Sequence, residues 1–291
     1  MVVLKNKSSY FTRKTLKTLV VLGMAIGLGA CSTISDLNPF GEAEPELKVG
    51  EVSAEKLYAR ALATVNNGST KEAATQFEEV ERQHPYSTWA RRSMLMSAYT
   101  HYERNSFDDA INASKRFLTL YPGHDDAPYA YYLIALSYYE QISDVGRDQR
   151  MTKRALVALD DLIKRYPYSD YSKDAEQKAI LARDHLAGKD MKIGRYYLDK
   201  KAYIAAINRF KIVVSKYQRT SHAPEALMRL AEAYMALGVA SEAQTAAAIL
   251  GHNFPDTKWY DDAYVLLKSD GLEPRENKGS WLSRAWNSIT F

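Results

Sequence analysis

Along this chain, apolar positions recur with helical rather than strand spacing, and the pattern of one stretch is repeated through much of the rest. After Pro224, Leu227, Leu230, Ala231 and Tyr234 fall at i, i+3, i+4 and i+7, the spacing of one buried helix face. Gly238 breaks this run, and a second run carries Ala243 and Leu250 before Pro255 ends it. Ser241, with Gln244 three residues on, predicts a capping box at the start of that second helix. The small residues Ala231 and Ala243 mark where the two predicted helices cross, because a larger side chain there would hold the backbones apart. A pair of helices cannot bury its own apolar face, so the pattern predicts neighbours of the same kind.

The neighbours follow from spacing. Small residues twelve apart recur at Ala61 and Ala73, Ala98 and Ala110, Gly194 and Ala206, and Ala231 and Ala243, while the pair Ala135 and Ala155 is twenty apart. In four of these five units a proline follows the second small residue by twelve, at Pro85, Pro122, Pro167 and Pro255; Gln218 holds that place in the unit of Gly194. Thirteen residues separate each such site from the next unit, except for the twenty-seven between Pro167 and Gly194. This is the tetratricopeptide pattern. It predicts an all-α fold, a right-handed superhelix or solenoid of five helix-turn-helix units.

Two departures shape the predicted organisation. Unit three carries eight extra residues in its turn, 143–150, which are polar and predict a surface loop. Before unit four, residues 171–189 have helical spacing, with Ala175, Ala179, Ala182 and Leu186 on one face. They either extend that unit's first helix or end where Gly188 breaks it. The array then divides into an N-terminal module of three units, 53–169, and a C-terminal module of two, 170–268, followed by a tail, 269–291. In the tail, Ser280 as a cap would put Trp281, Leu282, Ala285, Trp286 and Ile289 on one helix face. That face suits a membrane interface, a partner's groove or a cap over the last unit.

The N-terminus follows a different pattern. Lys5, Lys7, Arg13, Lys14 and Lys17 precede an apolar run, 19–28, too short to span a bilayer, and the run ends in Leu28, Gly29, Ala30 and Cys31. This resembles a bacterial lipoprotein signal, residues 1–30. The resemblance implies recognition of Leu28, Gly29 and Ala30 by the signal peptidase, cleavage before Cys31, acylation of Cys31, and, from Ser32 in place of aspartate, export to the outer membrane. An ordinary secretory signal with an incidental cysteine is the alternative. Residues 31–52, with Pro39, Gly41, Pro45 and Gly50, form a predicted flexible tether.

Cleavage changes the charge picture. Residues 1–30 hold five of the 39 Lys and Arg and none of the 35 Asp and Glu, so the remaining chain carries a net charge of −1. Net charge therefore gives no support for nucleic-acid binding. Locally the balance is uneven: residues 189–219 sum to +7, and residues 42–82 to −4. Such a basic stretch is either a solvated face or a dock for an acidic partner.

No chemistry of catalysis stands out. The six histidines are scattered without metal-ligand spacing, no phosphate-cradling or nucleophile motif is present, and the single cysteine is Cys31. The chain is thus expected to be no enzyme and to need neither metal nor cofactor. Tyrosines instead crowd the first helices of units two and three, including Tyr99, Tyr102, Tyr129 and Tyr132. They either line a groove for peptides or pack between helices.

Together, the lipoprotein signal, five such units, the closing motifs His84-Pro85-Tyr86-Ser87, Tyr121-Pro122 and Tyr166-Pro167-Tyr168-Ser169, and the long helix before unit four resemble the BamD family of β-barrel assembly lipoproteins. Tyr196-Tyr197 and Ala205-Ala206-Ile207-Asn208-Arg209 are similar to that family's most recognisable stretch. The resemblance implies a lipid-anchored adaptor on the periplasmic face of the outer membrane. Its C-terminal repeats would bind the periplasmic domain of BamA, through Arg209 with Asn208, Lys200 and Tyr196. BamC and other lipoproteins of the complex would lie along the array. The N-terminal repeats would receive the C-terminal signal strands of unfolded outer-membrane β-barrel proteins. Two rivals are a repeat-containing pilotin for secretins and the Tol-Pal-associated periplasmic repeat protein; the latter carries a coiled coil and no lipoprotein signal.

Overall fold

The structure, a computed structural model, describes residues 52–288, in which twelve helices and no strands are found. The signal, Cys31 and nearly all of the predicted tether, as well as Ile289, lie outside the described residues. Unit one is α1 (Ala54–Asn66) with α2 (Thr70–Gln83), and unit two is α3 (Thr88–Glu103) with α4 (Phe107–Leu120). Unit three is α5 (Ala127–Tyr139) with α6 (Arg150–Arg165), and unit four is α7 (Asp170–Asp199) with α8 (Tyr203–Lys216). Unit five is α9 (Ala223–Ala236) with α10 (Ala240–Asn253), followed by α11 (Lys258–Ser269) and α12 (Trp281–Asn287). Helices α1 to α10 each pack chiefly on their neighbours in sequence, as expected of repeat hairpins.

The turn inside a unit has one solution used four times. Two residues beyond the first helix, Gly68, Asn105, Lys201 and Gly238 take φ of 82°, 62°, 58° and 73°. Glycine enters this left-handed region without steric cost and asparagine at little; Lys201 is the exception, a long side chain held there by the hairpin. Between units, the Pro-Tyr-Ser closings are capping devices. Ser87 Oγ accepts from the Ala90 amide at 3.0 Å, and Ser169 Oγ from the Tyr171 amide at 3.1 Å.

The crossing residues are where the spacing puts them: Ala61, Ala73, Ala98, Ala110, Ala135, Ala155, Ala206, Ala231 and Ala243 are fully buried, and Gly194 is buried with them. Four and seven residues after the second crossing residue, each second helix inserts two more buried side chains, Phe77 and Val80, Ser114 and Phe117, Leu159 and Leu162, Phe210 and Val213, and Ala247 and Leu250. Ala243→Leu is expected to cost about 1–3 kcal/mol as overpacking. A thermal midpoint equal to the parent's would overturn this register.

One sequence expectation changes, one open alternative is decided, and one helix is new. The capping box at Ser241 and Gln244 does not form: α10 begins after Val239 with no side-chain cap. The Gln244 amide instead donates to the Glu273 carbonyl at 2.8 Å, and Ser241 Oγ accepts from Asn277 Nδ2 at 3.5 Å, so both residues hold the tail. Gly188 does not break α7, which runs 30 residues without interruption. Its missing side chain admits neighbours, since a Cβ there would lie 3.0 Å from His222 Nε2 and 3.5 Å from Val145 Cγ1. Finally, α11 has no counterpart in the repeat spacing; Ala263 and Leu267 bury it against α9 and α10, where a further first helix would sit.

The insert of unit three is a mostly exposed loop, as its polarity predicts, yet it is fastened down. His185 Nε2 meets the Ser143 carbonyl at 2.7 Å, Lys189 Nζ donates to the Arg147 carbonyl at 2.9 Å, and the buried Gln149 amide donates to the Asp144 carbonyl at 3.0 Å. The tail helix α12 packs on α8 and α10, capped by Ser280 Oγ, which accepts from the Leu282 amide at 3.0 Å. Gln218, in the position that is proline in the other units, is buried, and its amide donates to the Ala285 carbonyl at 3.0 Å. The departure from the repeat pattern is thus the attachment point of the tail.

Candidate functional site

Two groups of surface side chains concentrate the residues singled out by the sequence. The first lies where α7 turns into α8. Tyr196 is 59% exposed on the last turn of α7, with its ring centroid 5.6 Å from that of Tyr197. Lys200 Nζ stands 6.0 Å above the Tyr196 ring, and Asn208 is exposed on α8. Ile204, 69% exposed on the first turn of α8, was not among the expected residues. It lies four residues before Asn208, at a position where the repeat asks for no buried side chain, so helical spacing marks it as surface.

Arg209 does not point clear of the hairpin. It lies along the flank of α7 and α8, where Nη1 donates to Asp190 Oδ1 at 3.2 Å; the Arg209 side chain is 40% exposed and that of Asp190 17%. Other bases of the +7 stretch are likewise engaged within the chain. Arg195 Nη1 donates to both oxygens of Glu225, at 2.9 and 2.8 Å, Lys189 serves the unit-three loop, and Lys211 Nζ sits 4.2 Å over the Trp281 ring. The lopsided charge is therefore partly answered by groups distant in sequence.

The second group is the run of tyrosines on the first helices. Tyr99 and Tyr102 of α3, Tyr129 and Tyr132 of α5, and Tyr171 of α7 come together, with Tyr171 ring centroids 5.3 Å from Tyr129 and 5.2 Å from Tyr132. Tyr132 is buried and its hydroxyl donates to Asp174; Tyr99, Tyr102 and Tyr129 are half-buried, packed over Ala98, Ala113 and Leu133. Tyr102 donates to Glu140 Oε1 at 3.3 Å. Burial, then the nearby carboxylates Glu140 for Tyr102 and Asp174 for Tyr132, push these hydroxyls well above the ordinary tyrosine range, so they stay protonated donors. The rings pack between helices, and Tyr99, Tyr102 and Tyr129 keep part of their surface exposed.

The tail tryptophans belong to neither group. Trp286 is 7% exposed, edge-on to Phe254 at 6.0 Å, and Trp281 Nε1 donates to Tyr234 Oη at 3.0 Å. Of the three roles open to that face, the structure has it capping the last units. The histidines stay apart: His84 meets the Val52 carbonyl at 2.9 Å, His101 meets Glu78 Oε1 at 3.1 Å, and His222 lies 3.6 Å from Asp184. Among the described residues, no group of His, Cys, Asp and Glu is placed to hold a metal, and no helix is long and apolar enough to cross a membrane.

Residues 50–250 match the family model YfiO, described as outer membrane lipoprotein. The chain is similar to the outer membrane protein assembly factor BamD of Caulobacter vibrioides, 50% identical over 231 residues that cover 79% of this chain and 76% of that one. It is similar to BamD of Rickettsia prowazekii, 40% identical over 256 residues covering 88% and 97%. Among solved structures, a TPR protein of Thermus thermophilus aligns with 75% of this chain and 98% of its own at 19% identity, with a TM-score of 0.36.

Proposed function

Because the chain belongs to the YfiO family of outer membrane lipoproteins, which includes the BamD assembly factors, we propose that it is a non-enzymatic scaffold of the outer-membrane β-barrel assembly complex, held by lipid on Cys31 at the periplasmic face. In this reading the C-terminal module, 170–268, binds the periplasmic domain of BamA, and BamC and other lipoproteins of the complex lie along the array. The N-terminal module, 53–169, receives the signal strands of unfolded barrel proteins on the surface of Tyr99, Tyr102, Tyr129 and Tyr132.

The observation that supports the BamA contact most directly is the exposure of Tyr196, Lys200, Ile204 and Asn208 along the end of α7 and the start of α8, the hairpin that also carries Arg209. Tyr196 and Ile204, both more than half exposed, give an aromatic and an aliphatic surface to a stretch that also exposes the Asn208 amide and the Lys200 cation, the composition of a protein interface. Arg209 can act there although it has a partner. A half-exposed ion pair contributes about 0–1 kcal/mol to folding, so Asp190 is readily exchanged for a carboxylate that offers two oxygens to the guanidinium fork.

Purification of the complex from cells carrying Arg209→Glu is expected to recover BamA several-fold less well, with the circular dichroism of the isolated variant unchanged. Arg209→Lys is expected not to restore recovery, because a point charge cannot reproduce the fork. Asp190→Ala, which removes only the internal partner, is expected to leave recovery intact. A well-folded Arg209→Glu protein that brings down BamA at the parent's level would exclude this contact.

A further inference from the structure

The tyrosine surface carries a charge bias that its aromatic composition alone does not predict. The hydroxyl of Tyr102 donates to Glu140 and that of Tyr132 to Asp174, and the charged neighbour of Tyr99 is Glu103. Near Tyr129 the charged neighbour is again Glu103, and near Tyr171 they are Asp126 and Asp170. One base enters this surround: Lys178 pairs with Asp174 at 2.7 Å and lies 5.7 Å over the ring of Tyr139. Glu103 and Glu140 remain exposed at the edge of the rings, and neither forms an ion pair among the described residues.

Glu140 accepts one phenolic hydrogen, from Tyr102, and both edge carboxylates keep acceptor capacity for further donors. The rings present their negative faces beside them, the arrangement that attracts an ammonium or guanidinium group. A free terminal carboxylate brought to the same place meets the like charges of Glu103 and Glu140, while Lys178 is already paired with Asp174.

On the reading that this surface receives chain segments, we propose that it selects interior segments of an extended chain in which aromatic side chains alternate with lysine or arginine, and that a segment's free C-terminal carboxylate is held elsewhere or remains in solvent. Aromatic residues at every second position of an extended strand would lie over the rings, with the intervening cations reaching Glu103 and Glu140 at the rim. Polar contacts at the rim then decide which segments bind, while the rings supply most of the contact area.

The test uses the full acylated chain in detergent and three fluorescein-labelled probe peptides. The first alternates phenylalanine with lysine and ends in an amide, the second replaces its lysines by glutamate, and the third is the first with a free C-terminal carboxylate. Anisotropy titrations at low salt are expected to show the lysine peptide binding roughly tenfold tighter than the glutamate peptide, with the gap shrinking at high salt and no gain from the free carboxylate. Glu103→Gln with Glu140→Gln keeps acceptors for the tyrosine hydroxyls and is expected to close most of that gap at unchanged helix content. Equal binding of the lysine and glutamate peptides, or a gap untouched by the two substitutions, would overturn the charge preference and leave the groove standing. Failure of all three peptides to bind saturably would remove the groove reading and this inference with it.

Discussion

Truncation of Phe210 to alanine is expected to lower the unfolding free energy by about 3–5 kcal/mol, the range for deletion of a buried aromatic ring. Phe210 is among the largest fully buried side chains and lies in the seam of the hairpin formed by the second half of α7 and α8. Its ring has room only because residue 194 has no side chain: a Cβ on Gly194 would lie 2.4 Å from Phe210 Cε1. Glycine inside a helix costs about 1 kcal/mol relative to alanine, so propensity alone says that Gly194→Ala should stabilise. Overpacking a closed core costs about 1–3 kcal/mol and a buried ring cannot swing aside, so the net effect is expected to be destabilising. Gly194→Ala combined with Phe210→Leu is expected to cost less than the two single changes added together, because leucine vacates the space that the new methyl enters.

The location of this seam gives the loss a signature. In a repeat array each unit is stabilised by its neighbours, so weakening the fourth should uncouple the units before it from the fifth. Trp89 reports on the N-terminal units, and Trp259, Trp281 and Trp286 on the C-terminal end. With Trp89 replaced by phenylalanine, fluorescence follows the C-terminal end alone while circular dichroism follows all helices. In Phe210→Ala the fluorescence transition is expected to move to lower denaturant than the dichroism transition. Coincident transitions at the parent's midpoint would refute the packing role assigned to the ring.

Repeat spacing made this seam legible before the structure, because a crossing point tolerates only small residues and so leaves a mark every unit. The helical face of Ala175, Ala179, Ala182 and Leu186 was legible for the same reason, but whether it ran on past Gly188 was not, and only the structure continues it into Met191 and Gly194. What stayed hidden depends on contacts between distant positions. Ser241 and Gln244 match a local capping rule, yet both are taken by the tail thirty or so residues on, which local rules cannot foresee. The pairing of Arg209 with Asp190 joins two helices whose relative rotation no single-helix pattern specifies. The tyrosines were visible as a compositional cluster, but the carboxylates that surround them come from α3, α5, α7 and the turn before α5, and only the fold assembles those.

Trp286→Ala is expected to release the tail while leaving the helical array folded. The seven-residue α12 is far below the length at which a helix persists alone in water, so its order derives from docking. Docking rests on Leu282 and Trp286, both buried against the last units, with Trp281 bonded to Tyr234, Ser280 to Glu242 at 2.6 Å, and Gln218 to the Ala285 carbonyl. Loss of a buried tryptophan removes about 3–5 kcal/mol, more than the remaining hydrogen bonds, at about 1 kcal/mol net each, can be relied on to offset once the segment's conformational entropy is regained. Amide hydrogen exchange over residues 273–288 is therefore expected to accelerate strongly, with α5 and α6 keeping their protection. Gln218→Pro restores the proline of the other units but deletes the amide that reaches Ala285, and is expected to loosen the same segment to a smaller degree. If exchange over residues 273–288 in Trp286→Ala matches the parent, the tail is held by something other than the apolar face of α12.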